Sequence, residues 1–136
     1  MNNAASSRLL IFILAAITAL GPMSMQIFLP ALPAIQDAFN VSPMQAQLVL
    51  STSLISIAIS ALAYGPASDR YGRRPVMLIG LTIFLIGSLI CVISTSIWVL
   101  IFGRIVQAIG GASGMVLSRA IIRDLYDRET AARMLA

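Results

Sequence analysis

The chain has 136 residues, 59% of them hydrophobic and only 10% charged, with nine basic residues, all arginine, against five acids. Soluble domains carry about a quarter charged residues, so the composition excludes a soluble core with a wet surface, and equally a collagen-like or disordered chain. A single cysteine, Cys91, and no histidine leave neither an intrachain disulfide nor a metal-ligand set.

A bilayer core about 30 Å thick is crossed by about 20 apolar residues rising about 1.5 Å each. Leu9 to Gln36 carries no charge and predicts a first span over 9–35. A secretory signal peptide is the alternative, but this run is far longer than the roughly 7–15 apolar residues of a signal core. Gly21–Pro22, Pro30 and Pro33 interrupt the span. Proline removes a backbone donor and kinks a helix, and lipid supplies no substitute partner. The segment therefore reads either as a merely bent helix or as a gate that lines a cavity, the second favoured by polar Ser24 and Gln26 at mid-depth.

Ala38 to Ser68 is the next uncharged stretch and predicts a second span over 44–66, with Ser53, Ser56, Ser60 and Ala63 on one stripe. A third span is expected over 75–94. A fourth, over 97–118, follows the polar turn Ser94–Thr95–Ser96 and is interrupted only by Arg104. Gly103, Gln107, Gly110 and Gly114 share one of its faces. Small residues at this spacing let helices approach closely, which points to a bundle and to nothing more specific. Beyond Leu117 the sequence turns polar and amphipathic, and 130–136 reads as the start of a fifth helix.

The arginines set the orientation. With the N-terminus in the cytoplasm, Arg8, Arg70, Arg73, Arg74, Arg119, Arg123, Arg128 and Arg133 all fall inside, and the external loops hold only Asp37. Such asymmetry is the positive-inside pattern. It also disposes of a nucleic-acid partner, because no basic face is free of the membrane geometry.

Arg104 lies roughly 10 Å along span 4 at 1.5 Å per residue. A charge at the bilayer centre costs about 2.5–3.5 kcal/mol even on a lenient scale, and arginine does not escape it by deprotonating. Arg104 must face a bundle interior or wet cavity, with Gln107 beside it, or else snorkel to the outer interface. Between spans 2 and 3 the sequence GPASDRYGRRP reads as a tight cytoplasmic turn. There Gly72 permits a left-handed backbone, Pro75 can start a helix, and Asp69 stands four residues before Arg73. An ordinary positive-inside loop explains the arginines but not the acid among them.

That turn resembles the loop 2–3 signature of the major facilitator superfamily, Gly-x-x-x-Asp-Arg-x-Gly-Arg-Arg, with Gly65, Asp69, Arg70, Gly72, Arg73 and Arg74 in register. RIVQAIGGA is similar to the Arg-x-x-Gln-Gly/Ala-x-Gly motif of the family's drug/proton antiporters, through Arg104, Gln107 and Gly110, with Ala108 where glycine is more usual. LPALP at 29–33 and RDLYDRE after span 4 add a likeness to the bicyclomycin/chloramphenicol-resistance branch.

The resemblance implies an all-α membrane protein whose four spans are the first part of a twelve-helix fold, with substrate held near the midplane between two six-helix halves. It implies a bacterial inner-membrane exporter of small hydrophobic drug-like compounds, driven by protons and working by alternating access with C-terminal helices not contained in these residues. Asp69 and the loop arginines would form a cytoplasmic latch. Arg104 would couple proton uptake to substrate movement through its field on buried carboxylates, and spans 1 and 4 would line the cavity. Relatives in this branch usually carry an acid where this chain has Gln26, so either coupling uses an acid in a missing helix or this relative is not proton-driven in the usual way. The chain alone is expected to be inactive. A small four-span exporter acting as a dimer, or a non-transporting partner of another bundle, is the alternative. No phosphate loop, nucleophile–base pair or metal site suggests an enzyme or a cofactor.

Overall fold

In a computed structural model the backbone of residues 3–125 and the side chains of residues 9–124 are described. The expected fifth helix at 130–136 lies outside these residues. Four α-helices follow in order: α1 (Asn3–Phe39), α2 (Pro43–Tyr71), α3 (Arg73–Val92) and α4 (Ile97–Leu125). All four are long and apolar enough to cross a membrane, so the chain is a multi-pass helical membrane protein.

The connections are short because local chemistry ends each helix sharply. α1 stops at Asn40, whose φ of 49° is the left-handed conformation that asparagine tolerates. The Val41 amide then reaches back to the Gln36 carbonyl at 3.1 Å. Ser42 caps α2 in a reciprocal capping box with Gln45, and Pro43 occupies the first turn, where no amide donor is needed. Ser96 begins α4, its carbonyl accepting from the Leu100 amide and its Oγ from the Val99 amide.

The turn between α2 and α3 is tighter than the sequence suggests. Gly65 and Pro66 do not end α2, which runs on through Asp69 and Arg70 to Tyr71. Gly72 alone forms the break, at φ 93° and ψ 151°, a region open essentially only to glycine. Pro75 sits in the first turn of α3 rather than opening it. Likewise Pro22, Pro30 and Pro33 all lie inside one continuous α1.

α4 is the hub. It packs against each of the other three helices, most extensively α3. Two apolar clusters form along it. Leu14, Val76, Met77, Leu117 and Ile122 gather at the end bearing the α2–α3 turn. Phe28, Val49, Ile97, Leu100 and Ile101 gather toward the other end. The predicted α4 stripe is buried at Gly103, Gly110 and Gly114, whereas on α2 Ser53 and Ser60 are buried, Ser56 is half-buried and Ala63 is exposed.

Close approach is the reason for those glycines. A Cβ on Gly110 would stand 2.6 Å from the Gly80 carbonyl oxygen, one on Gly87 would lie 2.6 Å from Gln107 Cα, and one on Gly114 would lie 2.7 Å from the Ile17 carbonyl oxygen. Each partner is backbone, which cannot rotate away. A Cβ on Gly65, by contrast, would have nothing within 4 Å. Gly87→Ala is therefore expected to lower the melting temperature of the detergent-purified chain, by about 1–3 kcal/mol of overpacking, while Gly65→Ala causes no loss. Equal melting temperatures for the two variants would contradict this packing.

Candidate functional site

Between the two apolar clusters lies a polar layer built around Arg104. Only 8% of this residue is exposed, so it faces the bundle interior and does not snorkel. Its Nη1 donates to Ser24 Oγ on α1 and to Gln107 Oε1, both at 2.7 Å, and its Nη2 donates to the Ser24 carbonyl at 3.3 Å. The Ser24 hydroxyl donates to Gln107 Oε1 at 3.1 Å. Gln107 Nε2 then donates to Ser88 Oγ on α3 at 2.8 Å, and Ser88 donates to the Phe84 carbonyl at 2.8 Å. The Phe28 ring covers the guanidinium, its centroid 4.2 Å from Cζ, a favourable cation–π arrangement.

The backbone explains how these groups meet. Gln107 lies three residues after Arg104, so both project from one face of α4. Gly87 lets α3 close onto the backbone of Gln107, bringing the adjacent Ser88 within reach of its amide. Ser24 and Phe28 are four residues apart on α1 and present one face. A cleft of about 20 Å³, room for one water, opens beside this layer and is lined in part by Ser24, Ser53, Phe84, Arg104 and Gln107.

Every partner of Arg104 is electrically neutral. Both ion pairs among the described residues belong to Arg73, and Arg104 Nε is buried with no partner. The layer thus satisfies part of the guanidinium's hydrogen bonding but does not neutralise its charge.

A second cluster lies at the α2–α3 turn. Arg73 pairs with Asp69 at 2.6 Å and, through Nε, with Asp124 of α4 at 3.0 Å. It also donates to Ser68 Oγ in a short contact. One guanidinium therefore ties the end of α2, the start of α3 and the end of α4 together. Asp69 and Asp124 are well exposed, and solvent-exposed pairs of this kind contribute only about 0–1 kcal/mol each. The cluster is better suited to a contact that forms and breaks than to a permanent clamp.

The structure therefore divides the residues singled out from sequence. Arg104 and Gln107 meet, and Asp69 and Arg73 meet. Arg70 and Arg74 are exposed, Arg70 lying over the Tyr71 ring at 5.4 Å. Gly110 faces α3 instead of the cleft, and Gly111 lines the cleft. Gln26 is on an exposed side of α1, apart from the Arg104 layer, as are Pro30 and Pro33. Sequence reasoning missed Phe28, Ser68 and Ser88, and the pairing of Arg73 with Asp124. Ser88 carried a signal, one of two hydroxyls with Thr82 in a mainly apolar run, and Phe28 another, its spacing of four from Ser24.

A polar layer around a buried arginine, inside a bundle of helices long and apolar enough to span a membrane, places the chain among multi-pass helical membrane proteins. The chain belongs to the Major Facilitator Superfamily, whose family model matches residues 14–136. It is 39% identical over 119 residues to "Multidrug resistance protein D" of Escherichia coli (strain K12), covering 88% of this chain and 30% of that protein. It is 34% identical over 116 residues to "Chloramphenicol resistance protein" of Pseudomonas aeruginosa, covering 85% and 28%. It is 29% identical over 136 residues to "Bicyclomycin resistance protein homolog" of Haemophilus influenzae, covering 100% and 34%. The chain thus spans about a third of the length of these relatives. No solved structure matches it with significance.

The neutral partner set yields a test. Removing one acceptor from a buried charge costs about 1–3 kcal/mol, whereas an apolar replacement of the charge itself is often neutral or stabilising. Ser24→Ala is expected to lower the melting temperature of the detergent-purified chain, and Arg104→Met to leave it unchanged or raise it. A greater loss in Arg104→Met would contradict the uncompensated charge.

Proposed function

We propose that this chain is the N-terminal portion of a proton-coupled exporter of small, hydrophobic, drug-like compounds in the bacterial inner membrane, with its N-terminus in the cytoplasm. The observation that carries the reading is Arg104, permanently charged yet buried in a cross-helix polar layer between two apolar clusters. Membrane arginines in such positions line solute or ion routes. Names of the relatives, which refer to resistance to several drugs, support the same substrate class.

Alternating access gives the two clusters complementary roles. The Arg73 cluster is the cytoplasmic latch, part of whose contact comes from helices outside these residues. Exposed Arg70 and Arg74 are available to that partner surface. Arg104 acts at mid-membrane, where its field lowers the proton affinity of any carboxylate brought within about 4–6 Å. Asp37 on α1, Asp69 on α2 and Asp124 on α4 lie near helix ends, and Gln26 does not titrate. Asp127 and Glu129 follow in the polar stretch after span 4, so we assign the coupling carboxylate to the rest of the transporter, and residues 1–136 alone are inert.

The test is chloramphenicol-driven proton release in liposomes, comparing the protein encoded by the complete reading frame with residues 1–136 alone. The complete protein is expected to couple drug to proton movement, Arg104→Ala to abolish the coupling, and the short chain to show none. Coupled flux that survives Arg104→Ala would overturn the role given to that residue, and flux from the short chain would overturn its dependence on missing helices.

A further inference from the structure

A second cavity adjoins the cleft beside Arg104. It is larger, about 300 Å³, and lies between α2 and α4, and the two share Ile57 and Met115. Arg119 and Arg123 border the larger cavity at the end of the bundle that carries the α2–α3 turn. Arg104, Met115, Arg119 and Arg123 follow one face of α4 at helical spacing. Between the arginines the wall is apolar, formed by residues such as Ala61, Ala112 and Val116. Among the described residues no acid lines either cavity. Arg119 and Arg123 have no carboxylate partner among the described residues.

The bonding of Arg104 is also incomplete in a directional way. A guanidinium has donors on Nε, Nη1 and Nη2. Nη1 gives two hydrogen bonds, Nη2 gives one, and Nε gives none. Ser24 bridges the two terminal nitrogens with its hydroxyl and its carbonyl, which leaves the Nε–Nη2 edge unused. Two parallel donors on adjacent nitrogens form the fork that a carboxylate engages with both oxygens.

Resting on the exporter reading above, the geometry points to an amphipathic organic carboxylate as the substrate class of this cleft. Arg119 and Arg123 receive the anion at the mouth, because a cleft lined by one sign of charge concentrates the opposite sign. The apolar body then lies along Ala112, Met115 and Ile57. The Nε–Nη2 edge of Arg104 holds the carboxylate once the cleft widens, since protein covers Nε in this conformation. An organic cation meets three positive charges along the same route, with no acid among its described lining residues. A bulky phosphate or sulfonate is a poorer fit to the small deep end.

The experiment uses the protein from the complete reading frame in liposomes, with 1-naphthylacetate, 1-naphthylacetamide and 1-naphthylmethylamine as probes and chloramphenicol as a control. The acetate is expected to be moved with the highest kcat/KM of the three probes. Arg104→Lys keeps the charge but loses the fork, so it is expected to lower kcat/KM for the acetate about tenfold more than for the amide, the difference being one lost charge-assisted bond. Arg119→Gln/Arg123→Gln, at surface positions, is expected to raise KM for the acetate several-fold at low salt and to flatten its salt dependence. Movement of chloramphenicol, the amide or the amine without preference for the acetate overturns the carboxylate assignment and leaves the exporter reading standing. A protein that moves neither the probes nor chloramphenicol overturns both.

Discussion

The arrangement depends on the cost of keeping one guanidinium inside hydrocarbon. Arg104 cannot shed its proton and cannot reach water along α4, so the bundle must supply acceptors at its depth. Two helices contribute them. Ser24 comes from α1, Gln107 from α4 itself, and Ser88 extends the chain of bonds onto α3. Phe28 adds the negative face of its ring. These groups satisfy geometry more fully than charge. A cation surrounded only by neutral dipoles keeps an outward field, and a field without a resident counter-ion is what a solute or a titrating acid can exploit.

The rest of the fold makes that layer possible. Without glycine at 87 and 110 the axes of α3 and α4 would separate, and the Ser88 hydroxyl would lose the Gln107 amide. Lipid provides no hydrophobic contrast to hold helices together, so small residues and interhelical hydrogen bonds carry the association. Apolar clusters flank the layer on either side. Beyond one of them, Arg73 joins three helix ends through exposed ion pairs. The described residues therefore have a well-packed middle and a weakly tied end, the distribution that the proposed latch and coupling roles require.

Much of this was legible in the sequence, for identifiable reasons. Long uncharged runs locate the spans because a bilayer sets a length requirement. Arg104 stands out because no other charge interrupts a span. The pairing of Arg104 with Gln107 follows from helical spacing, and that of Asp69 with Arg73 from a break short enough to be one glycine. Helix ends were harder. Gly65–Pro66 looks like a terminus, yet α2 continues through it because the neighbouring residues keep helical geometry and only Gly72 leaves it. Partners from distant helices were hardest. Nothing local to Ser88 or Asp124 says that α3 and α4 lie together closely enough for Gln107 and Arg73 to find them. Gln26 shows the converse: its depth and the acid that relatives carry at its position made it a candidate, and its position around the helix axis carries it away from Arg104.

A protonated Arg104 secluded from water underlies both the packing and the proposed transport, and side-chain 15N NMR of the arginine-labelled protein in lipid nanodiscs measures that directly. The Arg104 Nε–H resonance is expected to persist at high pH with hydrogen exchange far slower than that of exposed Arg70 or Arg74. Exchange of Arg104 as fast as at those surface positions would show that the guanidinium is hydrated, and the buried polar layer would not exist as described.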